Sequence, residues 1–461
     1  MKKLFYLPTL LLALLLASCV KDDYRMALPT SPMALMFVDA SSENSTGRQN
    51  LLQKIFDLSG DDDAGIDMKQ RLYFFETADG NLGLCASLYN ADKMVETITD
   101  LSGKGRCKVL DKAGDAFSTV IDSAWVLAFD DDAMLMMGPV LEADQKSMQN
   151  RVLRMVAQDE KHGGALSQMF QTLDTIHAPI ALVAQIQAFP ESVSMPFMLG
   201  VPQGVDPSEV VLKAGMRVQD KCLLMRGKTL SFNKAIDRQL NEVARVFHPI
   251  EGHYLNTMSA DAFMGMFMNI DGMEFLPLMQ NNKNIQAMLM GANMAVDMNK
   301  IIKSIHGDMA IVFPELASQA DNFNMSMVAK LSDAHWITDL NYWKASCPRG
   351  ATLSAWDMRG FHYQNGPDHF YFGVDFDSKP ALEFMCGTTA QLARGALKKA
   401  DNPISDVVQQ HLSGAIMGMV VHLNGLQVEE GPLGMLFPFL QTVLGDVNTI
   451  AYKPTNKPSG R

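Results

Sequence analysis

The sequence predicts an α+β fold, a tandem duplication of a mainly antiparallel sheet plus helix unit. Three observations predict it. From about residue 32, apolar runs of strand length alternate with capped helical stretches. Neighbouring runs are separated by hairpin-length turn clusters, which favour antiparallel pairing. The order of these segments then recurs, in part letter for letter, at offsets of roughly 230 to 250 residues.

The first recurring stretch contains apolar runs at Phe74–Glu76 and Leu82–Leu88, split by Ala78-Asp79-Gly80-Asn81. Gly80 suits a turn position with positive φ. Asn90 stands where an N-cap belongs, ahead of a helix to about Leu101. The counterpart runs Met309–Phe313, a loop, Phe323–Leu331, and then Ser332 or Asp333 capping a helix to about Trp343. Leu72-Tyr73-Phe74-Phe75 lies beside Ala310-Ile311-Val312-Phe313, and Leu88-Tyr89-Asn90-Ala91-Asp92 beside Lys330-Leu331-Ser332-Asp333-Ala334. Trp125–Phe129 parallels Tyr371–Phe376, each followed by a second apolar strand and a glycine, Gly138 or Gly387. Ala178–Ala188 parallels Ala415–Leu423, and Met36-Phe37-Val38-Asp39 parallels Met266-Phe267-Met268-Asn269. A third hairpin with a helix is expected at Val210–Arg217, Lys221–Gly227 and Ser231–Val246.

The expected division is a signal peptide at 1–18, a tether at 19–31, repeats at 32–255 and 256–430, and a closing helix, strand and tail at 431–461. Leu433–Leu444 is nearly apolar but, at a dozen residues with Pro438 inside, too short to span a bilayer.

The amino end carries the strongest address. Lys2 and Lys3 precede an apolar run from Leu4 to Leu16, and Leu16-Ala17-Ser18-Cys19 reads as a lipoprotein cleavage box. Cys19 is then the lipidation site, and the mature chain is held on a membrane by its acyl chains. Lys21, Asp22 and Asp23 form a lysine followed by two acids, similar to an export signal of surface lipoproteins. The expected location is the outer membrane, with display on the cell surface as the further expectation.

The chain has 461 residues, 48% of them hydrophobic and 20% charged, as in a folded globule. Its net charge of −12 becomes −14 when Lys2 and Lys3 leave with the signal. Such an acidic body lacks an electrostatic footprint for nucleic acid. Cys85, Cys107, Cys222, Cys347 and Cys386 remain, an odd number. Five buried thiols is the main expectation, and one disulfide plus free thiols is the alternative.

The segments Gly65-Ile66-Asp67, Leu72-Tyr73-Phe74-Phe75, Gly83-Leu84 and Ala91-Asp92-Lys93, with Gly307-Asp308 and Asp333 in the second half, resemble an uncharacterised domain-of-unknown-function family of Gram-negative envelope lipoproteins. The resemblance covers most of the mature chain. It implies a cell-envelope location and supplies no activity, cofactor or catalytic residue.

The metal candidates are weak. Met264, Met266 and Met268 would share one face of a strand, and thioethers suit Cu(I). The flanking Phe263 and Phe267 favour a strand buried on both sides instead, with methionine as core filler. His248 and His253 enclose Glu251 within six residues, but Pro249 and Gly252 make the stretch a loop short of a zinc ligand set. His362 and His369 flank a turn at Gln364–Pro367 and would face each other across a hairpin. Asp61-Asp62-Asp63 and Asp130-Asp131-Asp132 lack the spacing of an EF-hand and read as solvated loops. Gly227-Lys228-Thr229 lacks the glycine-rich turn of a phosphate loop.

No cofactor and no catalytic residue follows from these patterns. The expectation is a lipid-anchored envelope protein with a non-enzymatic binding or structural role toward a protein, peptide or glycan. The alternatives are an envelope hydrolase acting on peptide or glycan, or a carrier of apolar cargo.

Overall fold

The computed structural model describes residues 23–455, apart from 41–44, 61, 190–193, 199–200, 202–203, 281–295, 316–323, 358–359, 377–381 and 424–440. Cys19, Lys21, Asp22, Asp61 and most of the Leu433–Leu444 segment therefore lie outside the described residues. The rest divides into two compact units. One holds the residues up to Val183 together with 441–443, and the other runs from Ala184 to 423 and from Leu444 on.

The first unit has seven strands in antiparallel succession: β1 (Pro32–Val38), β2 (Leu72–Thr77), β3 (Leu82–Ser87), β4 (Asp111–Ala113), β5 (Ala116–Ile121), β6 (Trp125–Phe129) and β7 (Ala133–Gly138). With β8 (Ile180–Gln185) beside β1, their order is β8–β1–β2–β3–β7–β6–β5–β4. Every residue of β2 and of β7 is buried, so these central strands are covered on both faces. The expected hairpin is present: Gly80 adopts φ 77°, and its N–H donates to the Thr77 carbonyl at 2.9 Å. The helix Ala91–Gly103 starts where Asn90 accepts from the Lys93 N–H. It buries Met94, Ile98 and Leu101, the i, i+4, i+7 stripe of an amphipathic helix.

The second unit repeats that order. Its strands are β9 (Val211–Gln219), β10 (Cys222–Leu230), β11 (Phe247–His248), β12 (Met264–Asp271), β13 (Ile305–Phe313), β14 (Ser326–Leu331), β15 (Ala351–Asp357), β16 (Gly360–Asn365), β17 (Asp368–Asp375), β18 (Leu382–Gly387), β19 (Met417–His422) and β20 (Thr449–Pro454). The run β19–β12–β13–β14–β18–β17–β16–β15 has the succession of the first unit, strand for strand. Beyond it, β20 pairs with β19, β10 runs parallel to β20, and β9 closes the edge against β10. The third hairpin of the sequence thus adds to one end of the second sheet, and its Gly227-Lys228-Thr229 lies within β10.

Pairing corrects the letter alignment by one residue. Phe37 faces Tyr73 across β1 and β2, and Phe267 faces Ala310 across β12 and β13. With Phe37 matched to Phe267, the counterpart of Ala310 is Tyr73 rather than Leu72. A one-residue slip exchanges the two faces of a strand, so cross-strand partners decide the match where letters do not. The expected tether is also folded from Asp23 onwards. Asp23 caps the 3-10 turn Tyr24–Ala27, and Tyr24, Ala27 and Leu28 are buried. Tyr254, 230 residues after Tyr24, precedes the matching turn Leu255–Thr257. The helix expected up to Trp343 is instead a 3-10 segment, His335–Asp339, continued by the α-helix Leu340–Ala345, and Asp333 accepts from the His335 N–H.

Each face of the second sheet has its own core. Met268, Ile270, Met309, Trp336, Phe372 and Phe384 lie in one cluster. Phe267, Ala310, Val328, Val408, Leu412 and Val420 lie in the other. Alternate residues along β12 therefore enter opposite cores, as a period of two requires.

Candidate functional site

Of the residues singled out in the sequence, His253 is brought into a cluster and His248 is not. Glu251, His253 and Asp308 place one donor atom each within 4.8 Å of one another. Asp308 enters from β13 with a side chain only 2% exposed. Its carboxylate accepts from the backbone N–H groups of Glu251 (2.9 Å), Gly252 (2.8 Å) and His253 (3.0 Å). Asn269 on β12 donates to it at 3.1 Å and to the Pro249 carbonyl at 3.0 Å. His253 Nδ1 lies 3.3 Å from the same carboxylate. The Lys330 ammonium stands 2.7 Å from Glu251 Oε2.

This is the chemistry of an anion held in a loop. Three backbone donors and an amide already occupy the acceptor positions of Asp308, and the nearby lysine repels a metal cation. The arrangement ties the loop 249–254 to β12 and β13. Nothing in the composition of His248–His253 signalled this, because the decisive partner is 55 residues away. His248 is exposed on the short β11.

The methionines of β12 are packing residues: Met264 and Met268 are 4% and 1% exposed, and Met266 lies partly buried against the same cluster as Met268. β12 is paired on both sides, so its side chains have only the two cores to enter.

The hairpin expectation for His362 and His369 is met. His362 Nε2 lies 2.9 Å from His369 Nδ1, and the ring planes differ by 3°. Tyr371 stacks on His362 at 4.1 Å. Burial first, and the neighbouring His369 second, hold the His362 imidazole below its ordinary pKa. Trp356 meets Tyr371 edge-on at 5.3 Å and carries the Arg394 guanidinium over its ring.

The acidic clusters serve the chain locally. Asp63 accepts from the Gly65 N–H, the Tyr89 hydroxyl and Lys93. Asp130 accepts from Asp132 and Ala133 N–H in the β6–β7 turn, and burial raises its carboxyl. All five described cysteines are free thiols. Burial raises each of them, with Cys386 pushed up to about 12, so none is an activated thiolate.

A cavity of about 260 Å³ opens in the second unit between the sheet and the helix Ala390–Gly395. Ala310, Val328 and Ala396 are buried parts of its lining, and Gln391 and Gly395 are exposed parts.

With the fold and these sites in place, the chain matches the family described as a domain of unknown function, DUF4836, over residues 36–378. It belongs to that family. The DUF4836 match runs from β1 of the first unit beyond β17 of the second, so it takes in most of both repeats. Comparison with curated proteins gives no match. Among solved structures, crystal form IV of TP0453 is similar at 12% identity over 44% of this chain and 79% of that one, with a TM-score of 0.28. Crystal form III of TP0453 is similar at 13% identity over 49% and 86%, also with a TM-score of 0.28. Scores of that size carry no argument about this protein.

Proposed function

We propose that this DUF4836 protein is a lipoprotein of the bacterial envelope, acylated at Cys19, held on the outer membrane and displayed at the cell surface, where it has a non-enzymatic binding or structural role. The observation that carries the reading is Leu16-Ala17-Ser18-Cys19 behind a lysine pair and a short apolar run. Two further facts support it. No helix among the described residues is long and apolar enough to cross a membrane. Asp23 is already part of the fold, so four residues of chain, at most about 14 Å, can separate Cys19 from the body. An anchor that short holds the first unit against the lipid surface.

The early fold also bears on the export signal. Asp23 is engaged by Arg25, which donates to both its carboxylate oxygens at 2.7 Å. Recognition of the signal then falls mainly on Lys21 and Asp22, or precedes folding.

Fractionation tests the reading. The wild-type chain partitions with membranes and Cys19→Ala is released. A Cys19→Ala chain that stays with the membrane overturns the anchor. Proteolysis of whole cells tests display: wild-type protein is cut, and protein that survives until lysis faces inward.

A further inference from the structure

The two units fill the same place in their sheets differently. In the first, Tyr73 and Phe75 are 1% and 3% exposed on one face of β2. Tyr73 meets Tyr24, Phe37 and Phe170 at ring separations of 5.9, 6.2 and 5.7 Å. Phe75 lies on Gly83, where a Cβ would stand 2.0 Å from the ring. In the second unit, cross-strand register matches Tyr73 to Ala310, Phe75 to Val312 and Gly83 to Ser326. Two aromatic rings are replaced by a methyl and an isopropyl group, and a cavity of about 260 Å³, lined by Ala310, Val312, Ser326 and Val328, stands at that position.

We propose that this cavity is a binding site for a small apolar ring compound carrying at most one polar group. Size and chemistry both follow from the repeat, because the first unit places aromatic side chains there. Cavities of about 150 Å³ with apolar walls accept benzene, so this one accommodates a substituted ring, while remaining below the usual volume of a drug-sized pocket. The hydroxyl-bearing Thr257 and Ser259 and the exposed Gln391 line the same cavity, and give a lone polar substituent partners while the ring enters among Ala310, Val328 and Ala396. The site is independent of the lipid at Cys19.

The test uses the full chain as Cys19→Ala, which avoids detergent, with toluene and p-cresol as probes. Saturable binding raises the melting midpoint of the second unit by about 2–4 °C. Transferred magnetisation from toluene reaches the methyl groups of Ala310, Val328 and Ala396. Ala310→Phe, which restores a ring as in the first unit, abolishes the rise, and Val312→Phe does the same from the neighbouring position. The proposal is overturned if neither probe binds saturably, if magnetisation reaches other methyls only, or if the rise persists in a folded ring-bearing variant.

Discussion

The first and second units share one strand succession and differ in what they bury. The contrast runs through a single pair of strands. Just before β2 and along it the first unit has Arg71, Tyr73 and Phe75; at the matching places the second unit has Asp308, Ala310 and Val312. The register facing β1 or β12 is the same. The aromatic pair makes a filled core and the aliphatic pair borders a cavity. The charged position inverts its sign and its exposure: Arg71 is 28% exposed beside Asp39 and Asp174, and Asp308 is 2% exposed among backbone donors. Backbone pairing is thus preserved by hydrogen bonds that any side chain permits, and the interior is free to change between copies.

The contrast can be broken most forcefully at Tyr73. Tyr73→Ala gives the first unit the residue of the second and leaves a cavity among Tyr24, Phe37 and Phe170. The first unit loses about 3–5 kcal/mol by denaturant unfolding. A loss under about 1 kcal/mol would show that the ring is not a core element and that the two positions are not equivalent. Asp308→Ala comes next. It removes the acceptor shared by three loop backbone N–H groups and the buried Asn269 amide, and the second unit loses about 2–3 kcal/mol. An unchanged midpoint would mean that the loop 249–254 is held by something else. Gly80→Val forces a β-branched residue to φ 77° in the β2–β3 turn and costs the first unit about 1–2 kcal/mol.

Acid distinguishes the units more gently. Burial, the largest cause, pushes His411 down to about 4, and Lys453, Arg226 and Arg217 act in the same direction against the Met225 carbonyl. The folded value lies below the unfolded one of about 6.5, so protons favour the unfolded form. The second unit therefore has its full stability above pH 6.5 and loses it as the pH falls through about 4. In the first unit, burial raises Glu76 and Asp130, so their protonation over that range favours the fold. Separate unfolding midpoints measured between pH 7 and 4 should diverge, with the second falling. A second midpoint that is flat, or that falls equally in His411→Gln, contradicts this. The smallest effect is expected at Arg71, whose exposed ion pairs and position 4.0 Å over the Phe37 ring are together worth about 1 kcal/mol. Arg71→Ala costing as much as Asp308→Ala would erase the asymmetry between the copies.

Much of the fold was legible because it rests on local signals. The Gly80 turn, the Asn90 cap and the alternating apolar runs each state their structure within a few residues. The duplication was legible because order and letters recur together. Its register was not, since Tyr73 and Leu72 are equally apolar and only the partner strand separates them. The folded turn at Asp23–Ala27 was hidden by a charged stretch that resembles a tether, although its buried Tyr24 has a matching Tyr254 in the second copy. At the sites, His362 and His369 could be paired because one tight turn joins them. Asp308 could not be joined to Glu251 and His253, because no local pattern records a contact made across the sheet. The cavity was legible in neither copy alone: Ala310 and Val312 are ordinary strand residues until they are set against Tyr73 and Phe75.

One measurement bears on the whole account, in which a twice-copied body is tied to lipid through a single sulfur. Mass spectrometry of the amino-terminal peptide from native protein should find Cys19 as the first residue, carrying the added mass of a diacylglycerol and an amide-linked acyl chain. A free, unmodified first residue, or a chain that still carries residues 1–18, would contradict it.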